Sequence, residues 1–191
     1  MFTTSLFILL AILLQVTSVY SGKEHIGGAC LDPLNFGKAP CDKTWSIRYH
    51  MDVPTETCLA FNFTGCGQNW NNFPSVLACY EKCLPSDYQI CPAASKSYKT
   101  TLGKDFCRKE CDCGPRKYCN IGGQAFGQCC REDIRTKINS DYNPKCARGQ
   151  SVVEYKENGV VTKLIGKKCA HNFCPHGSRC IQGYFFAACC L

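Results

Sequence analysis

The sequence predicts a set of small disulfide-rich modules: one α+β unit, followed by two units that are mostly strand and loop. Three observations carry this. The chain has 19 cysteines in 191 residues, a density typical of disulfide scaffolds. The cysteines fall in groups of six, seven and six, spanning 30–83, 91–130 and 146–190. The last two groups repeat one spacing. Modules of about 40–60 residues bury too little apolar surface to hold themselves together, so covalent staples supplement the core.

At the amino terminus, Leu6–Leu14 is an unbroken apolar run, followed by small residues up to Ser21. Such a run suits a secretory signal and is too short to cross a bilayer about 30 Å thick. Residues 1–21 are therefore predicted as a signal peptide cleaved near Ser21-Gly22, although no Lys or Arg precedes the apolar run. Export also follows from the cysteine count, because cytosolic thiols stay reduced. The expected product is secreted and extracellular, with no membrane partner.

Residues 22–85 form the first predicted module, with cysteines at 30, 41, 58, 66, 79 and 83. Ile47–Met51 and Leu59–Thr64 read as two strands, joined through Thr55-Glu56-Thr57. Phe61 and Phe63 stand two apart and so share a face. Ser75–Cys83 reads as a short helix: Ser75 can cap it, and Cys79 and Cys83 lie four apart on one side. Spacing alone leaves fifteen ways to pair six cysteines.

This segment resembles the Kunitz-type (pancreatic trypsin inhibitor) family. The gaps x7, x12 and x3 from Cys58 to Cys83 are the family's own. So are Cys58-Leu59-Ala60-Phe61-Asn62-Phe63-Thr64-Gly65-Cys66 with Asn71-Asn72-Phe73, and Arg48-Tyr49 on the first strand. The resemblance covers about 54 residues. It implies the pairs Cys30–Cys83, Cys41–Cys66 and Cys58–Cys79. It also implies substrate-like inhibition of a serine protease, the expected partner, by insertion of a preorganised loop. That loop would be Pro40, Cys41, Asp42, Lys43, Thr44 and Trp45, backed by a secondary loop of Thr64, Gly65, Cys66 and Gly67.

The family position that fills the protease pocket holds Asp42. A trypsin-like pocket has an aspartate at its base and repels a second carboxylate, while an apolar pocket leaves one desolvated and unpaired. The gaps on either side of Cys41 are longer than the family's by two residues and by one, and an inserted residue could bring Lys43 to the pocket instead. Asn62-Phe63-Thr64 is an N-glycosylation sequon. In the resembled fold, a glycan on Asn62 would obstruct docking.

Residues 86–130 and 146–191 are predicted as two cysteine-rich repeats, separated by a polar linker at 131–145. Cys113-x5-Cys119-x9-Cys129-Cys130 matches Cys174-x5-Cys180-x8-Cys189-Cys190. Gly103-Lys104 and Gly166-Lys167 precede the second cysteine of each group. Adjacent cysteines seldom bond each other and are expected to tie one strand to two neighbours. The pattern resembles the lustrin-type repeat of nematode and mollusc secreted proteins, which implies extracellular matrix components as partners. Aligning the repeats leaves Cys111 without a counterpart, with Cys113 the next candidate. An odd thiol in a secreted chain points to a free cysteine or a disulfide-linked dimer.

Net charge is −1 over residues 22–83, +3 over 84–130 and +5 over 131–191. The basic residues are scattered, with no run beyond Lys167-Lys168, and predict ordinary solubility ahead of polyanion or nucleic-acid binding. His171, Cys174 and His176 fit no common zinc spacing. No nucleophile–base pair is evident among the histidines. No cofactor, metal or enzymatic activity is expected. Two function classes remain, a protease inhibitor and a matrix or cuticle adaptor. Ion-channel block by a Kunitz unit is a third class that no residue here selects.

Overall fold

The computed structural model describes residues 26–85, 89–122, 125–157 and 159–191. The predicted signal peptide at 1–21 lies outside them. The fold class is as the sequence predicts: small and disulfide-rich, with nine bridges and short strands.

In the first unit, β1 (Ser46–Asp52) and β2 (Thr57–Phe63) form an antiparallel hairpin with Arg48 opposite Phe61. Glu56 turns the chain at φ +49°. Helix α1 (Val76–Cys83) starts where the Ser75 hydroxyl accepts the Ala78 N–H at 3.0 Å, satisfying one orphan donor of the first turn. Cys79 bonds Cys58 on β2, and Cys83 bonds Cys30 near the start of the unit. The buried Asn71 side chain accepts Met51 N–H at 2.7 Å and donates to the Asp32 carbonyl at 2.8 Å. It thereby ties the incoming chain to the hairpin.

The second and third units share one connectivity. In the second, Cys91 bonds Cys130, Cys107 bonds Cys119 and Cys113 bonds Cys129. In the third, Cys146 bonds Cys190, Cys169 bonds Cys180 and Cys174 bonds Cys189. Each is built on a hairpin, β3 (Lys117–Ile121) with β4 (Gly127–Arg131), and β8 (Arg179–Gln182) with β9 (Ala187–Cys190). The third unit adds a small hairpin, β5 (Glu154–Glu157) with β6 (Val160–Lys163), and a two-residue strand β7 (Ile165–Gly166). Adjacent cysteines on β4 and β9 reach different neighbours, because successive side chains of a strand point to opposite faces.

The first and third units merge. Strand β7 joins β2 to β9, giving one five-stranded sheet ordered β1-β2-β7-β9-β8. Leu164, Phe173, Ala187 and Cys189 of the third unit bury into the same core as Tyr49, Met51, Cys58 and Phe73 of the first. Lys167 Nζ, 2.8 Å from Asp52 Oδ2, closes one edge of the seam.

The segment read as a linker contains helix α2 (Glu132–Tyr142). Glu132 and Asp133 suit its positive N-terminal end. Ile138 and Tyr142, four apart, pack on Leu59, Ile165 and Phe186. The buried Asp141 carboxylate accepts the N–H groups of Tyr184, Phe185 and Phe186 at 2.7, 2.7 and 3.1 Å. One turn nearer the start of the helix, Arg135 lies over the Tyr118 ring, 3.9 Å from its centre. The helix thus seats against both repeats.

Candidate functional site

The exposed loop at 38–45 runs into the start of β1, where Ser46 lies opposite Phe63, at the other end of the hairpin from Cys58 and its bridge to α1. It is held from behind by the chain at 64–67. Lys38 N–H donates to the Cys66 carbonyl at 2.9 Å, and Thr64 N–H donates to the Phe36 carbonyl at 3.0 Å. The Thr64 hydroxyl reaches the Lys38 carbonyl at 3.2 Å. Asn35 bridges the two segments: its Oδ1 accepts Gly37 N–H at 2.8 Å and its Nδ2 donates to the Gly67 carbonyl at 2.9 Å. Cys41–Cys66 closes the arrangement covalently.

Glycine is required where the two segments touch. Gly37 has φ +93°, and a Cβ there would stand 2.6 Å from the Cys66 carbonyl oxygen. Gly65 has φ +101°, and its Cβ would meet Lys43 Cβ at 2.7 Å. Both positions combine a left-handed backbone with a close approach, which other residues meet only with strain.

The side chains that remain outward are Pro40, Asp42, Lys43, Thr44 and Trp45, all exposed, while Cys41 is half-buried. Trp45 keeps 57 % of its surface. Asp42 and Lys43 therefore present opposite charges side by side at the apex. Asp42 Oδ1 lies 3.9 Å from Cys66 Sγ. The bridged sulfur carries no proton, so this is packing. Thr64, Gly65 and Cys66 are half-buried and Gly67 is exposed. The structure thus brings the two predicted loops together through Cys41–Cys66 and the close approach of Gly65 to Lys43 and Thr44. It adds Asn35 and Gly37, whose only sequence signal is an Asn-Phe-Gly turn composition.

Asn62 sits near the end of β2 opposite Ile47, half-buried, with its Oδ1 enclosed and without a hydrogen-bond partner among the described residues. Phe63 beside it is buried. Cys111 is exposed and has no disulfide partner.

The third unit supports the base of the loop. Phe36 meets His171 of that unit edge-on at 5.2 Å and Phe61 at 5.9 Å. The buried His50 ring also packs edge-on against Phe61, at 5.6 Å. Burial pushes the His50 imidazole down to about 4, overriding the attraction of Asp52. His171 is also lowered, mainly by burial and then by Lys168. Both rings are therefore neutral at physiological pH. Cys174, beside His171 and His176 in sequence, is bonded to Cys189 and has no thiolate to offer a metal.

A family model described as the Kunitz/bovine pancreatic trypsin inhibitor domain matches residues 29–84. The chain is 35 % identical over 165 residues to a BPTI/Kunitz inhibitor domain-containing protein of Caenorhabditis elegans, covering 85 % of this chain and 89 % of that protein. It is 29 % identical over 189 residues to the major allergen Ani s 1 of Anisakis simplex, covering 95 % of both. Tissue factor pathway inhibitor 2 of Mus musculus is 34 % identical over 62 residues, 32 % of this chain and 26 % of that protein.

Proposed function

The chain belongs to the BPTI/Kunitz inhibitor domain family, and on that premise we propose that it is a secreted inhibitor of serine proteases acting through the loop Pro40–Trp45. The observation that carries this reading is the way the loop is held. Two backbone hydrogen bonds, one hydroxyl, one amide side chain and one disulfide fix it from behind, while the apex faces outward. A loop already in its bound shape loses little entropy on docking. A rigid loop also keeps a cleaved bond's ends together, so resynthesis competes with release.

Asp42 occupies the pocket-filling position of the family, and Thr64–Gly67 forms the second strip of contact. The Asp42 carboxylate directs the inhibitor away from proteases with a carboxylate at the pocket base and towards those with a basic or polar one. The test is an inhibition constant for the full chain carrying Asn62→Gln, which removes any glycan near the loop. The panel spans proteases with basic, acidic, aromatic and small pocket preferences. Nanomolar inhibition of at least one member is expected. No inhibition at micromolar concentration, from protein whose nine bridges are intact by mass, would sink the reading.

A second reading, an extracellular matrix or cuticle adaptor, is supported by the shared sheet. The Kunitz hairpin also serves as a building strand for the third unit through β2 and β7. Such a role keeps the fold without using the loop. Under it, the two later units are lustrin-like repeats that carry the matrix contacts.

A further inference from the structure

The basic residues that are scattered along the sequence are gathered by the fold. A groove of about 970 Å³ lies where the second unit, the first half of α2 and the β8–β9 turn meet. A smaller hollow of about 450 Å³ adjoins it, and Tyr98 lines both. Lys96, Lys99, Arg116, Lys117, Arg131 and Lys137 line the two hollows, against the carboxylates Asp105, Glu132 and Asp133.

The carboxylates are already engaged. Asp105 pairs with Lys99 at 2.7 Å and Asp133 with Arg131 at 2.6 Å. Glu132 pairs at 2.6 Å with Arg135, outside the groove. Lys96, Arg116 and Lys117 have no ion pair among the described residues. Lys137 has only a 3.9 Å approach to Asp133.

Two of these cations converge on one ring. Lys96 Nζ and Lys117 Nζ lie 5.7 and 5.2 Å from the centre of Tyr98. The ring's quadrupole attracts each of them only weakly, and Lys96 faces the smaller hollow while Lys117 faces the larger. Across the groove, Lys137 Nζ stands 5.5 Å from the Tyr184 ring, which keeps 72 % of its surface exposed. Arg116 holds its place on the wall at φ +57°, a conformation that glycine or asparagine adopts at lower cost. Ser140 and Thr136, whose hydroxyl donates to the Glu132 carbonyl at 3.0 Å, also line the groove.

We propose that this groove binds a sulfated polysaccharide chain, its sulfates on Lys96, Arg116, Lys117 and Lys137 and its sugar faces on Tyr98 and Tyr184. Several cations without a close carboxylate partner, spread over two adjoining hollows, suit an anion of repeating charge. The two aromatic walls favour rings with an apolar face over an extended acidic peptide, whose backbone offers no such face. The site lies on the second unit, α2 and the third-unit turn, so it is independent of the inhibitory loop.

The test is a binding titration of the full chain with a size-defined heparin oligosaccharide, repeated at several NaCl concentrations. Measurable affinity that falls steeply with salt is expected, because binding releases condensed counterions. Arg116→Ala with Lys117→Ala should weaken binding tenfold or more, and Tyr98→Ala several-fold. Lys82→Ala with Lys156→Ala removes the same charge away from both hollows and should change binding less than twofold. An equal loss in both double variants would reduce the effect to net charge and overturn the site. So would absence of heparin binding by the unmodified chain. Equal affinity for polyglutamate of matched length would overturn the polysaccharide and leave an acidic peptide as the ligand. Near-ultraviolet circular dichroism confirms the fold of each variant.

Discussion

Ala60 and Gly166 face each other in a parallel bridge that joins the first unit to the third. The bridge forms because Gly166 has no side chain: a Cβ there would stand 2.7 Å from Phe173 Cζ, and Phe173 is itself buried in the shared core. Phe173 fills the place that a residue-166 side chain would take, and so lets the two strands approach.

Gly166→Val should therefore lower stability by about 3 kcal/mol, the scale of overpacking a rigid core. Chemical denaturation of the oxidised chain measures it. A loss below about 0.5 kcal/mol would mean that the seam adjusts to the added side chain and that close approach at Gly166 is not what joins the units.

Asp141→Ala removes the acceptor of three backbone N–H groups at the β8–β9 turn and leaves those donors exposed to partial burial. Bonds to a charged acceptor are worth about 1.5–3 kcal/mol each, with the sum less than additive. We expect a loss of about 3 kcal/mol, with faster hydrogen exchange at Tyr184–Phe186. Exchange unchanged at these amides would show that the turn holds its shape unaided.

His50 makes stability fall in mild acid. Its native value is about 4, against about 6.5 in the unfolded chain. Between these values the unfolded state binds more protons, so stability is full above about pH 6.5 and is lost as pH falls towards 4. The loss approaches about 3 kcal/mol at the low end. Asp52, Lys167 and His171 also act on this ring, Asp52 favouring the charged form and the other two opposing it. Unfolding free energies from pH 7 to pH 4 test this against His50→Leu, whose profile should be flatter. Parallel profiles would remove His50 as the cause.

Asp42→Arg should confer or strengthen trypsin inhibition by at least a hundredfold, because an arginine at the apex pairs with the carboxylate at the pocket base. The companion Lys43→Ala should leave trypsin inhibition of the parent chain unchanged. If Lys43→Ala abolishes inhibition instead, the longer loop has moved Lys43 into the pocket.

Cys111 should be the single thiol that reacts with a thiol reagent in the folded monomer. If it links two chains, the unreduced protein runs at twice its mass, and Cys111→Ser runs at single mass with stability changed by less than about 0.5 kcal/mol. A non-reducing gel that shows only monomer, with one titratable thiol, excludes the dimer.

Much of the first unit is legible in the sequence because its signals are local. Ser75 precedes the helix it caps, and Phe61 and Phe63 alternate with the pleat. The cysteine spacing from 58 to 83 is itself a register. The repeat is legible for the same reason: the equal x5 gaps and the x9 and x8 gaps that lead to Cys129-Cys130 and Cys189-Cys190 go with the same bridge pattern. Helix α2 is harder to read, since Ile138 and Tyr142 are a faint apolar stripe in a polar segment, and a two-residue stripe looks like a linker until its partners are known.

What the sequence determines by itself is therefore the disulfide-rich class, the Kunitz hairpin and helix, and the two-loop design around Cys41 and Cys66. Only the tertiary structure decides that β7 inserts beside β2, that Asp141 caps a turn some forty residues away, and that Arg116, Lys117 and Lys137 meet at one groove. The physical reason is range. Capping, alternation and cysteine gaps act over a few residues and leave a pattern in the chain. Sheet merging and charge clustering depend on contacts between distant segments whose residues, taken singly, look ordinary.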